Sequence, residues 1–363
     1  MISWIESLDP WPDEFGLKRM RALLAELGNP QVAYPSIHVV GTNGKGTTTR
    51  TIEETLSREG LVAGGYYSPH VIGWSERIRA GGDEADFERA IARVRPAAER
   101  LEATQFEVLT AAALAEFAAA GVDVAAVEAG LGGRYDATNV LRSPVQVLTN
   151  VALEHTAVLG STREAIAAEK LAVVKEGATV VLGEPEWETL ARELGAGRVV
   201  IETSGNRALA AAACEAFLGR PVRPAEVELP GRLEWRGDHE LWDGAHTPEA
   251  VRHIAPSLPP LAAIVLSLLG DKDADGVLRL LADRCDTLVA TQSTHPNALS
   301  AQELAERARA FFTRVEIEPE PVAAVELAHE FGGHVLVTGS LYLLADLTAV
   351  RPADLPWAIP PKS

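Results

Sequence analysis

The sequence predicts an α/β protein of two domains, each built on a mostly parallel sheet, and three observations carry that prediction. Short apolar runs alternate with longer segments of helical spacing through most of the chain. The length, 363 residues, exceeds what one compact core usually encloses. Prolines and glycines cluster at Pro221-Val-Arg-Pro224 and Leu229-Pro-Gly-Arg232, between periodic segments, which places a linker there and divides the chain into domains 1–229 and 230–363. Only the first half carries a glycine-rich loop of phosphate-binding type, so the halves are different domains rather than a duplication.

Composition narrows the class. Apolar residues make up 47% and charged residues 23%, the profile of a globular chain rather than a disordered one. No stretch approaches an uninterrupted membrane span, and Met1-Ile-Ser-Trp-Ile-Glu-Ser7 has no basic leader followed by an apolar block, so the protein is expected in the cytoplasm and away from membranes. Cys214 and Cys285 sit among aliphatic neighbours and are expected to be small core residues, neither a disulfide nor a zinc site. The formal charge of −18 excludes broad nucleic-acid binding, which needs a basic face. It is compatible with nucleotides, provided that a few placed cations and a metal offset the repulsive field.

The chain is organised around Ser36-Ile-His-Val-Val-Gly-Thr-Asn-Gly-Lys-Gly-Thr-Thr-Thr-Arg50, an apolar strand, a glycine turn with one lysine, and hydroxyl residues opening a helix. Gly41, Gly44 and Gly46 can take backbone angles that other residues avoid. Successive N–H groups can then face a phosphate, with Lys45 adding charge and Thr47 a metal-facing hydroxyl. The strict G-x-x-x-x-G-K-[ST] spacing is absent: Val39 occupies the first glycine position and Gly46 separates Lys45 from the hydroxyl. The shorter form, Gly41-Thr42-Asn43-Gly44-Lys45-Gly46-Thr47, resembles the loop of the Mur ligase superfamily, specifically its dihydrofolate synthase and folylpolyglutamate synthase branch.

The other elements follow in order. Residues 10–31 open with Pro-Trp-Pro and continue with Leu17, Met20, Leu23, Leu24 and Leu27 at helical spacing, a core stripe ended by Gly28-Asn-Pro30. In the resembled family this region helps to shape the pteroate pocket. Tyr66-Tyr-Ser-Pro-His70 and Glu76-Arg-Ile78 resemble the family's Ser-Pro-His and Glu-Arg-Ile signature, which implies that Ser68 ligates magnesium; Tyr67 stands where threonine is commoner. Phe106-Glu-Val-Leu-Thr110 begins an alanine-rich helix and resembles the family's Phe-Glu-x-x-Thr element.

Val122–Glu128 reads as an apolar strand ending in a carboxylate. It runs into Ala-Gly-Leu-Gly-Gly-Arg-Tyr-Asp-Ala-Thr-Asn139, placed where open α/β sheets bind ligands. The resemblance makes Glu128 a magnesium ligand. After the strand Val145–Asn150, the order Thr-Asn, His155, Leu159-Gly160 and Glu169-Lys170 also resembles the branch. It implies His155 as a second metal ligand and Lys170 as a carbamate, an oxygen donor suited to a hard metal. A solvated helix face or a pair with Glu169 is the plain alternative for Lys170. Strands follow at 180–183 and 199–201, then a helix from Asn206 through Phe217, where Asn206 matches an adenine-side asparagine without the usual preceding glutamine.

The second half repeats the alternation, with strands at 239–243, 263–269, 287–291 and 334–338. Pro230-Gly-Arg232 and Asp243-Gly-Ala-His-Thr-Pro248 resemble family elements that put Arg232 on ATP phosphate, Asp243 on the ribose side and His246 at an interdomain site. Thr247 replaces the usual asparagine, and Asn297 replaces an arginine. Gly270-Asp-Lys-Asp273 and Thr338-Gly-Ser-Leu-Tyr342 match as well.

The resemblance, from about residue 17 to about residue 343, implies a P-loop Mur-ligase-type central domain with a smaller Rossmann-like C-terminal α/β domain. It further implies an ATP- and Mg2+-dependent ligase, with K+ as a second candidate cation, acting in the cleft between the domains. There a carboxylate of dihydropteroate or a folate becomes an acyl phosphate that the amine of L-glutamate attacks, with Lys45, His155, Lys170 and His246 as the catalytic set. Small molecules are the expected partners of a monomer. Two alternatives stay open: a Mur-type ligase on another carboxylate, disfavoured by the missing nucleotide-sugar domain before the loop, and a nucleotide-binding regulatory protein that lost the reaction.

Overall fold

The structure, a computed structural model, describes residues 1–350 except 11, 13 and 14; Trp11 of the Pro-Trp-Pro stretch and the end of the expected second domain lie outside the described residues. Two compact units are present, one of residues 1–69 with 74–227, the other of 70–73 with the chain from Glu228 onward.

The first unit is built on eight strands: β1 (Ser36–Val40), β2 (Ala63–Tyr66), β3 (Ile78–Ala80), β4 (Asp83–Glu84), β5 (Val124–Glu128), β6 (Val145–Leu148), β7 (Thr179–Leu182) and β8 (Arg198–Ile201). Their order is β4-β3-β2-β5-β1-β6-β7-β8. The six strands from β2 to β8 in that order are parallel, and β3 and β4 add an antiparallel edge. Alternation of side chains across the pleat decides what covers each face. Ala125 and Val127 turn to the helices Phe87–Arg100 and Gln105–Ala120, whereas Val124 and Ala126 turn to Lys45–Arg58 and Asn206–Leu218. Ile52 and Leu56 of Lys45–Arg58 are fully buried, each contributing about 1.5–3 kcal/mol through apolar area removed from water.

Local signals fix the helix ends. Thr104 and Glu107 form a capping box at the start of Gln105–Ala120, with the Thr104 N–H and hydroxyl both 2.9 Å from Glu107 Oε2, and Gly121 ends the helix at φ 67°. The register then places the functional strand ends together. Val39 lies opposite Glu128 and Val40 opposite Leu148, so the ends of β5 and β6 reach the same sheet edge as the turn after β1.

The second unit holds β9 (Glu234–Arg236), β10 (Glu240–Asp243), β11 (Leu261–Leu266), β12 (Thr287–Ala290), β13 (Arg314–Ile317) and β14 (His334–Thr338), in the order β13-β12-β11-β14-β10-β9. All pair in parallel except β9. Helices Pro248–Ile254, Ala274–Ala282 and Ala301–Ala308 cover one face, and Pro321–His329 with Leu341–Val350 the other. Cys214 and Cys285 are free and buried, as core residues. Among the described residues no helix is long and apolar enough to cross a membrane.

Candidate nucleotide and substrate site

The turn between β1 and the helix Lys45–Arg58 uses two of its three glycines for conformation. Gly41 has φ 147°, and a Cβ there would fall 1.9 Å from Thr149 Oγ1; Gly44, at φ 80°, would meet Asn206 Nδ2 and Oδ1 at 2.5 Å. Both substitutions fail on backbone, and at Gly41 on space as well. Gly46 corrects the expectation: it lies inside the helix without a positive φ, and its Cβ would make only an ordinary 3.5 Å contact with Glu128 Oε2.

Thr149 and Asn150, at the end of β6, clamp the turn. Asn150 accepts the Thr42 N–H on its carbonyl at 2.9 Å and the Asn43 N–H on Oδ1 at 3.0 Å. The Asn43 carbonyl in turn accepts from Thr149 Oγ1 at 2.7 Å and Asn150 Nδ2 at 3.0 Å. The amides of Thr42 and Asn43 are thereby committed to holding the loop. Thr48 N–H to Gly44 O, 2.9 Å, is the first bond within the helix, so the amides of Lys45, Gly46 and Thr47 precede it and have no helical acceptor. That is the arrangement that attracts a phosphate to a helix N-terminus. Lys45 Nζ stands 3.1 Å from Thr42 O.

Glu128 is 4% exposed at the end of β5 and accepts the Ser68 N–H at 3.1 Å. A carboxylate and a serine hydroxyl are hard oxygen donors, which suits a divalent cation beside the phosphate loop. His155 is exposed and left-handed at φ 46°, capping the short helix Thr156–Leu159. Among the described residues no three His, Cys, Asp or Glu side chains converge as a metal group. The expected set has two of those types, Glu128 and His155; the structure joins Ser68 to Glu128.

Lys170 is 1% exposed on the helix Arg163–Leu171 and donates to Gly41 O at 2.7 Å and to Glu154 Oε1 at 3.1 Å. Its alternative partner, Glu169, pairs instead with Arg134 at 2.8 Å. Burial pushes the Lys170 amine down to about 8, with Glu154 opposing and Lys45 assisting the shift. Burial alone would raise Glu154, but the charges of Lys45, Lys170 and His155 hold its carboxyl below the usual range. Glu154 is thus a site residue that the motifs did not single out.

A cavity of about 200 Å³ opens in the same unit, walled by Phe15, Phe106, Leu131, Tyr135 and Ala137 with Asp136 at its side. Its wall is the glycine stretch after β5. A Cβ on Gly130 would lie 2.4 Å from the Phe106 ring, and one on Gly133 2.5 Å from Lys170 O, so glycine lets this stretch seat against both.

In the second unit, Asp243 is 4% exposed at the end of β10, accepting the N–H of Leu233 at 2.9 Å and of Ala245 at 2.8 Å. Burial pushes its carboxyl up, and Arg232 opposes the shift. Arg232 is exposed and donates to Gly231 O at 3.0 Å. His246 Nδ1 is 2.8 Å from Gly244 O, which can only accept, so the proton sits on Nδ1. Thr247 caps the helix Pro248–Ile254 by accepting the Ala250 N–H, work that asparagine performs equally well. Asn297 is exposed, its carbonyl accepting the Gly270 N–H at 2.8 Å.

Comparison with known proteins places the chain among relatives. Residues 39–194 match the Mur ligase middle domain and residues 231–341 the Mur ligase, glutamate ligase domain. The dihydrofolate synthase/folylpolyglutamate synthase of Mycobacterium tuberculosis is 31% identical, over 81% of this chain and 78% of its own. The structure of E. coli FolC in complex with DHPP and ADP aligns at a TM-score of 0.86 and 29% identity, covering 97% of both chains. The bifunctional folylpolyglutamate synthase/dihydrofolate synthase of Yersinia pestis, complexed with AMPPNP and Mn ion, aligns at 0.86 and 29% identity, covering 96% of both.

Proposed function

We propose, for a chain that belongs to the dihydrofolate synthase/folylpolyglutamate synthase family of Mur ligases, the ATP-dependent addition of L-glutamate to dihydropteroate, to reduced folates, or to both. The observation that carries this reading is the Gly41–Thr47 turn, clamped by Thr149 and Asn150, with Lys45 and the Ser68–Glu128 pair in the same unit.

The chemistry joins two anions. A substrate carboxylate oxygen attacks the γ-phosphorus and ADP leaves; the glutamate amine then attacks the acyl carbon and phosphate leaves, its proton passing to solvent. The free amides of the turn and Lys45 hold the transferring phosphate, with Thr47 close behind. Glu128, Ser68 and His155 would hold magnesium, which would supply charge neutralisation between the two anions. Asn206, against Gly44, is assigned to the adenine side, Arg232 to phosphate, Asp243 to the ribose side and His246 to the catalytic set, on the family motifs they match. The aromatic-walled cavity takes the flat part of the substrate.

Lys170 becomes the carbamate when its neutral amine adds to CO2 and loses a proton. An amine pushed down to about 8 has a usable neutral fraction near neutral pH. The product would set an anion against Glu154 where an ion pair now stands, so carbamylation requires a cation, Mg2+ or K+, at that point. The protein works as a monomer in the cytoplasm on small molecules, without nucleic acid or membrane partners; the charge of −18 supports the exclusion of nucleic acid.

The test is ADP release with ATP, magnesium and L-glutamate, comparing dihydropteroate with tetrahydrofolate, and mass analysis of the products. Turnover with dihydropteroate alone means a dedicated dihydrofolate synthase, and turnover with both a bifunctional enzyme. ATP binding with turnover of neither sinks the reading.

A further inference from the structure

His38 is a polar residue in the middle of the central strand, 1% exposed, and no step above uses it. Its Nε2 lies 2.8 Å from Thr138 Oγ1. The Thr138 hydroxyl is hydrogen-bonded to Asp136 Oδ1, which also accepts the Thr138 N–H at 3.0 Å. Asp136 Oδ2 accepts the N–H of Gly130 at 3.0 Å and of Leu131 at 2.8 Å. Four donors thus converge on one carboxylate, which leaves it nothing to do but accept. The Thr138 proton therefore points at Asp136, and Thr138 Oγ1 must receive its own hydrogen bond from His38.

We infer that His38 is a positioning residue of the substrate cavity: in its Nε2-protonated form it donates to Thr138, which orients Asp136, which holds the Gly130–Leu131 wall against Phe106. The inference rests on the reading that the cavity takes the flat part of the carboxylate substrate. His38 and Thr138 are buried, at 1% and 0% exposure, so water cannot replace the link between them. Burial, with Lys175 nearby, pushes the imidazole down to about 3, which keeps it neutral. The brace acts on the wall of the cavity, not on the phosphate turn, so its loss is felt by one substrate and not by the other.

Three variants and three measurements test this. H38L removes the donor, T138V removes the relay and leaves His38 in place, and H38Q keeps an N–H donor. Expected are a KM for the carboxylate substrate raised roughly fivefold in H38L and T138V, an unchanged KM for ATP, and recovery of the wild-type value in H38Q. Amide hydrogen exchange at Gly130 and Leu131 is expected to quicken in H38L and T138V and not in H38Q, and the imidazole 15N shifts of the wild type to show the proton on Nε2. Equal rises in both KM values, unchanged exchange in both variants, or a proton on Nδ1 with bare Nε2 would overturn the inference. Should H38L fail to fold, T138V carries the test. Should the wild type turn over no folate, the functional reading fails while exchange and tautomer still decide the brace.

Discussion

Lys170 Nζ donates to the carbonyl of Gly41 at 2.7 Å, so the lysine read as a metal-side carbamate also touches the first residue of the phosphate turn. Its second partner, Glu154, comes from a loop on neither element. One side chain thus ties the helix Arg163–Leu171, the turn after β1 and the loop after β6. Replacing it by methionine leaves Glu154 and the Gly41 carbonyl without their donor, and K170M is expected to lose about 3 kcal/mol in denaturant unfolding. A loss below about 0.5 kcal/mol, the range of ordinary surface changes, would show that the tie contributes nothing.

The pH dependence of that tie has a defined sign. The folded Lys170 amine is pushed down to about 8 from an ordinary 10.5. Below about 8 both states hold the proton and the cost of burying the cation is fully present. Between about 8 and 10.5 the native state releases it while the unfolded chain keeps it, so stability relative to K170M rises with pH across that window. Parallel stability curves for the two proteins from pH 7 to 10.5 would contradict the lowered amine.

The glycines separate cleanly. G44A forces φ 80° on alanine and drives a methyl to 2.5 Å from the Asn206 amide, so it should lower stability by about 1–2 kcal/mol and impair ATP binding. G46A, inside the helix with an ordinary contact, should leave stability unchanged or raise it by up to about 1 kcal/mol. Calorimetric melting of both variants checks the contrast, which vanishes if Gly46 shared the conformational role of Gly44.

N150A removes both side-chain bonds to Asn43. The turn then loses its hold on the side away from the phosphate, and ATP affinity should fall about tenfold with little change in melting temperature. Titration calorimetry with ATP and magnesium measures it. Unchanged affinity would mean that the remaining bonds, from Thr149 and to the Asn150 carbonyl, suffice.

Much of this was legible in the sequence because it is local. The strand–turn–helix around Lys45 and the carboxylate ending β5 each lie within a few consecutive residues. Relations made by the sheet were not legible. Thr149 and Asn150 belong to a recognisable Thr-Asn element, yet only the pairing of β1 with β6 brings them onto Asn43. Glu154 sits beside His155 in an irregular loop, where no periodicity marks a partner for a lysine on the next long helix. The edge strands β3, β4 and β9 hold two or three residues each, too few for alternation to register. Gly46 was misread because three glycines in one turn look alike until the helix start is known.

The most direct test of the central claim follows one atom. Dihydropteroate, or whichever folate the enzyme turns over, is labelled with 18O in its carboxylate, and the inorganic phosphate released with ATP, magnesium and L-glutamate is analysed by mass spectrometry. Activation as an acyl phosphate predicts one 18O in each phosphate released per amide formed. Amide formation with unlabelled phosphate would contradict it.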